Sequence, residues 1–474
     1  MITGVCPRMG QTALVSTFER SVSVPAPRAE LFAWHQRPGA FERLAPSWER
    51  IEIVSRTGDI RDGDRLHFRV RKGPIGLPWV ARHEGFVAGH QFVDVAERSP
   101  FASWRHVHTC EDEGEGSRLR DAVTYRLPLH GLTHPLVGAR VEAMLEQMFH
   151  QRHARTVHDL RRHQAAAARG CGPMRVAITG ASGLIGTELQ AFLTTGGHAV
   201  APVVRRPPKP GANEVQWDPA TQLLDPAGLE GLDAVVHLAG EPVLGRWTAA
   251  KRHRIRSSRV EGTQLLCEAL ARLEHKPRVL ICASAIGIYG DAGDCVLDEE
   301  AGVGSGFLAK VTRDWEAATR PAIDAGIRVV ALRIGIVNSG HGAALAQLRL
   351  PYSLGLGGPV GDGGQWHSWI DLDDLVGVIH HAIVCDELRG PVNAVAPAPV
   401  RQRDYARILG RVLRRPSRLR LPATLVRAMF GELADEVLLA SARVGCRRLL
   451  DSGFEFDLPT LEDSLRHQLG RARV

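Results

Sequence analysis

Apolar residues follow two different rhythms along this 474-residue chain, and the change of rhythm divides it. From Phe18 to His163 the rhythm has period two. Leu66-His-Phe-Arg-Val-Arg alternates apolar and polar residues, as does the stretch around Trp104 to His108. Such runs predict half-buried antiparallel strands. The stretch ends in a helical pattern over Val137 to Leu160, with Val141, Met144, Leu145, Met148 and Phe149 at helical spacing. A curved antiparallel sheet gripping one long C-terminal helix follows, an α+β helix-grip domain over residues 18–163. Residues 1–17 show little periodicity and read as a flexible tail. Gln164-Ala-Ala-Ala-Ala-Arg-Gly-Cys-Gly-Pro173 ends in Gly and Pro, which predicts a short linker over 164–173.

From Met174 onward short apolar runs alternate with helical stretches. Strands are predicted at Arg175–Ile178, Ala199–Val204, Ala234–Leu238, Val279–Ala283 and Val329–Leu332, with helices at Ile255–Leu273 and Leu308–Ala322. This alternation implies a doubly wound parallel sheet, an α/β Rossmann domain over residues 174–400. Residues 401–474 are rich in arginine and helical pattern and predict a small helical C-terminal cap domain.

Thr179-Gly180-Ala181-Ser182-Gly183-Leu184-Ile185-Gly186 directly follows the run Arg175-Val-Ala-Ile178. Strand, glycine turn and helix in that order place free N–H groups and a positive dipole where a dinucleotide pyrophosphate can sit. Thr179, Gly180, Ser182, Gly183, Leu184, Ile185 and Gly186 are therefore the candidate cofactor-binding residues. The next strand ends at Arg205-Arg206 with no carboxylate for a ribose 2′-hydroxyl. Arginine at this point pairs with a 2′-phosphate, so NADP(H) is expected in preference to NAD. Leu238, Ala239 and Gly240 close a further strand and let the backbone approach the adenosine half.

Composition narrows the picture. With 44% hydrophobic residues the chain can bury real cores, and its net charge of +7 is dispersed arginine interleaved with acids. The lysines are Lys72, Lys209, Lys251, Lys276 and Lys310, and no block of like charge predicts a nucleic-acid partner. Eight cysteines are scattered without a CxxC pair, which fits reduced thiols in a cytoplasmic protein. No signal-peptide core or membrane-spanning run is read. No metal site is predicted: His106 and His108, two apart on one strand, read as strand histidines facing solvent or a polar pocket.

The first domain resembles the polyketide cyclase/dehydrase branch of the Bet v 1-like, START-related superfamily. Val24-Pro-Ala-Pro27, Leu31-Phe-Ala-Trp34, Pro100-Phe-Ala-Ser-Trp-Arg-His106 and Asp121-Ala-Val-Thr-Tyr125 carry the resemblance. It implies an apolar ligand held between sheet and helix. The second half is similar to extended short-chain dehydrogenases/reductases, and within them to the bacterial "epimerase family" proteins. The glycine turn, His237-Leu-Ala-Gly240, Arg259-Val-Glu-Gly-Thr263, Ser284-Ala-Ile-Gly-Ile-Tyr-Gly290 and Trp369-Ile-Asp-Leu-Asp-Asp374 occur in the order of the extended enzymes. Gly245-Arg-Trp247, Asp314-Trp-Glu316, Gly355-Leu-Gly-Gly-Pro359 and Gly390-Pro-Val-Asn393 resemble the epimerase branch.

The resemblance implies catalytic roles for Ser284, which polarises a substrate oxygen, and for Lys310, which stands at the motif lysine. Four residues before Lys310 stands Gly306 instead of the usual tyrosine. That leaves a gap, with Tyr289 as the only nearby phenol to act as the acid. Lys251, Arg252, Arg256 and Arg259 recur at helical spacing; Arg259 is read as a substrate contact. The glycine-rich Gly355–Gly364 reads as a mobile lid, with Trp366 and His367 as further substrate contacts. Asp373 and Asp374 cap a helix.

Two functions fit. One is an NADP(H)-dependent oxidoreductase or epimerase-like enzyme acting on a small hydroxyl- or carbonyl-bearing substrate. The other is a non-catalytic NADP(H)-binding sensor fused to a lipid or polyketide carrier. A homodimer is compatible with either.

Overall fold

The computed structural model describes residues 15–219, 221 and 223–471, so residues 1–14 of the expected tail lie outside the described residues. Ser16 and Thr17 belong to the first strand. Two units are present, one of Met1–Gln36 and Glu49–Val157, the other of Arg37–Trp48 and His158–Val474. The short segment Arg37–Trp48 thus belongs with the second unit rather than with the helix-grip domain that surrounds it in sequence.

The first unit holds β1 (Ser16–Val24) and α1 (Arg28–Gln36). After α2 (Ala40–Leu44), part of the second unit, it continues with β2 (Arg50–Arg56), β3 (Arg65–Lys72), β4 (Ile75–Val87), β5 (Gln91–Arg98), β6 (Ser103–Glu113) and β7 (Gly116–Arg126). The sheet order is β1-β7-β6-β5-β4-β3-β2, antiparallel throughout. Alternation puts Trp104, His106, His108 and Cys110 on the buried face of β6, and Leu119, Asp121, Val123 and Tyr125 on that of β7. Leu145 and Phe149 of α3 (His130–Ala168) pack there against Trp104, Val123 and Tyr125.

The helix runs past the predicted Leu160, and residues 164–168 of the expected linker are helical. The alanine run favours helix, and Gly170 with its φ of 79° follows where the chain turns away.

In the second unit β8 (Arg175–Thr179), α4 (Leu184–Thr195), β9 (Ala199–Val204), β10 (Val215–Asp218) and β11 (Leu223–Leu224) come first. Then follow β12 (Ala234–His237), α5 (Ala249–Arg272), β13 (Val279–Ala285), β14 (Val296–Leu297), α6 (Phe307–Ala317), α7 (Arg320–Asp324) and β15 (Arg328–Ile334). The single helix expected over Leu308–Ala322 is broken, because Pro321 has no N–H for a continuing helix and instead starts α7. The next elements are β16 (Ile336–Asn338), α8 (Ala343–Ser353), β17 (Trp366–His367), β18 (Trp369–Asp371), α9 (Leu372–Val384) and β19 (Gly390–Ala394).

The main sheet has the order β11-β10-β9-β8-β12-β13-β15-β19, parallel except for the edge strand β11. Val176, Val236 and Ile281 face α4 and α9, while Ala177, Val235 and Leu280 face α5. Both faces are covered, which explains why these strands read as continuous apolar runs. The chain ends with four helices, Gln402–Leu413, Ala423–Phe430, Arg447–Asp451 and Leu461–Leu469. No helix among the described residues is long and apolar enough to cross a membrane.

A fully buried arginine pins this unit. Arg43 of α2 forks onto Asp159 at 2.8 and 2.8 Å and reaches Glu188 of α4 at 2.6 Å and Asp373 of α9 at 3.0 Å. Asp373 also meets His467 at 2.7 Å, and Asp371 caps α9 by accepting the Asp373 N–H. Asp374 takes Arg162 at 2.7 Å and the N–H groups of Asp457 and Leu458. The cap is therefore Asp371, and Asp373 and Asp374, expected to cap the helix, instead bind buried arginines. Arg43→Met should leave three carboxylates facing each other without their shared cation. A loss of about 3–5 kcal/mol is expected in denaturant unfolding. An unchanged midpoint and slope would contradict this account of the core.

Candidate functional site

β8 lies between β9 and β12, so the turn after β8 stands where the strand order reverses, the place where such sheets bind ligands. Gly180 has φ 68°, and a Cβ there would lie 2.9 Å from the Leu238 carbonyl carbon. A Cβ on Gly186 would come within 2.4 Å of the Gly180 oxygen. Glycine is required at both positions for the backbones to pass this closely. Gly183 caps α4 without any side-chain hydrogen bond, and Ser182 and Gly183 are exposed. The first N–H groups of α4, at Leu184, Ile185 and Gly186, are left to an outside acceptor.

Beneath the turn runs a buried chain of hydrogen bonds. Thr179 Oγ1 accepts the Leu238 and Ala239 N–H groups at 3.1 Å each, so its own proton goes to His237 Nδ1 at 2.7 Å. His237 Nε2 then donates to Thr263 Oγ1 at 2.9 Å, which also accepts the Trp315 indole at 2.8 Å. Burial pushes His237 down to about 4, in keeping with this neutral tautomer. The network ties β8, β12, α5 and α6 together under the candidate cofactor residues Leu238, Ala239 and Gly240.

At the end of β13, Ser284 donates to Glu316 Oε1 of α6 at 2.6 Å. Arg333 of β15 forks onto the same carboxylate at 2.9 and 2.9 Å. Its Nη1 donates to the Tyr289 hydroxyl at 2.9 Å, which in turn lies 2.7 Å from Asn393 Oδ1 and 2.9 Å from the Asp298 carbonyl. Burial raises the Tyr289 pKa. The phenol is thus held inside the unit, away from the role of a free acid. Glu316 and Arg333 escaped sequence reasoning. Glu316 closes the Asp314-Trp-Glu316 motif, but its partners lie on other strands.

The gap expected at Gly306 is filled. Glu436, in the turn Ala434–Leu438, accepts the Phe307 and Leu308 N–H groups at 2.7 and 3.0 Å and so caps α6. Gly306 has φ 109°, and a Cβ there would lie 2.4 Å from Glu436 Oε1. One turn on, Lys310 is exposed and makes no side-chain hydrogen bond among the described residues. Here the carboxylate of a distant segment stands beside the glycine where a tyrosine was expected.

The remaining candidates divide. Arg206 is held by Glu214 at 2.8 and 2.6 Å, while Arg205 is exposed and has no side-chain partner among the described residues. Arg259 lies against Gly240 and over Trp315, donates to the Glu241 carbonyl at 3.0 Å, and is pushed down to about 10 by burial. Lys251, Arg252 and Arg256 pair with Glu241, Glu432 and Asp314.

The glycine loop expected to be a mobile lid is pinned instead. Gly361 N–H donates to the Leu421 carbonyl, Leu421 N–H to that of Pro359, and Leu419 N–H to that of Gly357. A Cβ on Gly358 would meet the Leu419 oxygen at 2.1 Å, so the glycines serve close backbone approach. Trp366 lies between Arg401 at 4.2 Å and Arg443 at 4.6 Å and donates to Asp294 at 3.0 Å. His367 is packed on Tyr405 and driven down to about 4 by burial. Neither faces the glycine turn through any contact described.

The first unit carries a separate polar cluster. His106 and His108 face inward; Asp121 accepts from His106 Nε2 at 2.9 Å and His153 Nε2 at 2.6 Å, and His108 Nδ1 stands 2.7 Å from it out of line for a hydrogen bond. Asp94 lies 3.3 Å from His108 Nε2 and 2.7 Å from His83 Nδ1. Burial works against a charge on His108, but Asp121 and Asp94 push it up to about 9. Burial and the His108 charge hold His106 near 4. Both histidines thus face a buried polar cluster and not solvent.

These features define a Rossmann protein of the extended short-chain dehydrogenase/reductase kind, with a helix-grip unit before it. The family described as "NAD dependent epimerase/dehydratase family" matches residues 176–393. "Polyketide cyclase / dehydrase and lipid transport" matches 24–151, and a "Domain of unknown function (DUF1731)" matches 421–468. An epimerase family protein of Mycobacterium tuberculosis is 42% identical over 297 residues, 62% of this chain and 98% of the relative. The crystal structure of the nucleoside-diphosphate sugar epimerase from Corynebacterium glutamicum is 36% identical with a TM-score of 0.79, covering 96% of this chain and 90% of that one. The human epimerase family protein SDR39U1, crystallised with NADPH, is 33% identical with a TM-score of 0.58, covering 63% of this chain and all of its own. The chain belongs to the epimerase family.

The cap on α6 is open to a direct test. Gly306→Ala and Glu436→Ala should each lower stability by about 1–3 kcal/mol, by strain and by loss of the cap. In the double variant the alanine no longer strikes a carboxylate, so the two losses should fall short of additivity by at least ~0.5 kcal/mol in denaturant unfolding. Strict additivity would mean that the two residues do not meet.

Proposed function

We propose that the protein is an NADP(H)-dependent oxidoreductase or epimerase-like enzyme acting on a small hydroxyl- or carbonyl-bearing substrate. The observation that carries this reading is the glycine turn at the strand-order reversal, with an uncapped helix N-terminus above it. The NADPH in the human relative supports the same cofactor here, and the Corynebacterium neighbour makes nucleoside-diphosphate sugars the first substrate class to try. Arg205, exposed and without a partner among the described residues, is the residue for the 2′-phosphate; Arg206 is already engaged by Glu214. A bound nicotinamide would supply the hydride donor or acceptor.

Ser284 hands its proton to Glu316, so it offers lone pairs to a substrate hydroxyl. As an alcohol is oxidised, its hydroxyl proton passes to Ser284 while the Ser284 proton passes to Glu316; carbonyl reduction returns both. Arg333 holds the carboxylate in place, and Tyr289 positions Arg333. Lys310, without a tyrosine to act on, faces solvent for cofactor or substrate. In the first unit, the aromatic end at Trp79, Phe101 and Trp104 supports an apolar ligand.

A second reading, a non-catalytic NADP(H) sensor, draws on the committed Tyr289 hydroxyl and on Glu436 beside Gly306. Calorimetry should give tighter binding of NADPH than of NADH. Arg205→Ala should weaken NADPH by about 1.5–3 kcal/mol, roughly ten- to a hundredfold, and leave NADH alone. Equal affinities in the unmodified protein would remove the NADP(H) assignment. Ser284→Ala and Glu316→Gln should each cut turnover roughly a hundredfold or more with NADPH affinity kept. Turnover unaffected by both would overturn the proton path, and no turnover in the unmodified protein would favour the sensor.

A further inference from the structure

Strand register in the first unit brings chemistry together that no single stretch of sequence contains. His83 of β4 pairs with Asp94 of β5, and Asp94 with His106 of β6, making one transverse row. His108 and Asp121 pair across β6 and β7 in the neighbouring row. Pairing residues share a face, so all five side chains point to the same side of the sheet. His106, His108 and Asp121 are each less than 5% exposed. One ring nitrogen of each histidine and one Asp94 oxygen lie within 4.8 Å of one another.

We propose that Asp94, His106 and His108 form a binding site for a divalent first-row transition-metal ion, with Asp121 as the outer carboxylate that orients the His106 ring. Three observations carry this. Asp121 hydrogen-bonds His106 Nε2 at 2.9 Å and so leaves His106 Nδ1 as a lone pair, while His108 Nε2 is turned to Asp94 and His108 Nδ1 stands 2.7 Å from Asp121 out of line for a hydrogen bond. That carboxylate–histidine arrangement is how proteins orient metal-binding imidazoles. His108 Nε2 and Asp94 Oδ2 stand 3.3 Å apart, against about 3.0–3.4 Å for neighbouring donors around an ion with bonds near 2.1 Å. Lastly, Asp94 Oδ1 and His83 Nδ1 are buried and 2.7 Å apart, yet they are not aligned for a hydrogen bond. An ion bound by His108 Nε2 and Asp94 Oδ2 displaces the proton of the hydrogen bond between them and releases it to solvent.

Two imidazoles and one carboxylate suit Zn²⁺ or Fe²⁺ and leave coordination positions open, the pattern of a site that takes a small ligand. His163, His198 and His380 of the second unit also converge, but His198 Nδ1 accepts the Met174 N–H. The neutral His198 ring therefore carries its proton on Nε2, and no carboxylate belongs to that group. It makes a useful control.

Full-length protein stripped with chelator should take up one equivalent of Zn²⁺, and of Fe²⁺ without oxygen, measured by calorimetry and by elemental analysis after dialysis. Asp94→Asn and His106→Ala should each weaken uptake at least a hundredfold, and Asp121→Asn ten- to a hundredfold. His163→Ala should not change it. Circular dichroism of each variant reports its fold. Cobalt substitution gives a readout in the unmodified protein: visible bands of nitrogen and oxygen ligation without a thiolate charge-transfer band. No stoichiometric uptake of either ion, uptake undiminished in the Asp94→Asn/His106→Ala double variant, loss in His163→Ala, or a thiolate band would each overturn the proposal.

Discussion

The second unit is organised around one close approach of backbone to backbone. Gly180 and Gly186 let the turn after β8 fold onto itself and onto Leu238 and Ala239, at separations where any Cβ would collide. That approach seats α4 on the sheet and aims its uncapped N-terminus at the reversal of strand order. Thr179 stands at the base of the turn and hydrogen-bonds in three directions, so the glycine turn and the His237–Thr263–Trp315 chain form one rigid piece. An exposed helix N-terminus is thereby mounted on a buried, proton-ordered frame. The frame costs nothing in charge, because His237 stays neutral.

Elsewhere the same unit buries full charges, and each is met by fixed opposite charge. Arg43 joins Asp159, Glu188 and Asp373; Arg162 joins Asp374; Arg333 joins Glu316. Forked arginine–carboxylate pairs have little freedom to turn, so they set the angle at which neighbouring elements meet. The Arg333–Glu316 pair differs from the others in touching Ser284, a residue with a proton to move. In the proposed proton path a structural ion pair and the proton acceptor are the same carboxylate.

What sequence disclosed depended on how local the signal was. The strand–turn–helix around Thr179–Gly186 was legible because all its determinants lie within a dozen neighbouring positions. The long helix was legible from its spacing, though its end was misjudged, since the alanines of 165–168 favour helix more strongly than Gly170 and Pro173 oppose it upstream. Glu436 was not legible: it caps a helix 129 residues away and resembles any surface glutamate in sequence. The glycines of 355–364 were read as freedom and turned out to be clearance for Leu419 and Leu421. His106 and His108 share the parity of Trp104, a local sign of an inward face, but their carboxylate partners follow only from strand register.

The account stands or falls on hydride transfer at the site above the glycine turn. The most direct measurement uses NADPH carrying deuterium at C4, incubated with the protein and keto forms of nucleoside-diphosphate sugars, with products read by NMR. The account predicts deuterium on the former carbonyl carbon of a product, in one stereochemical sense and lost with Ser284→Ala. Deuterium retained in tightly bound NADPH, with every substrate returned unlabelled, would contradict it.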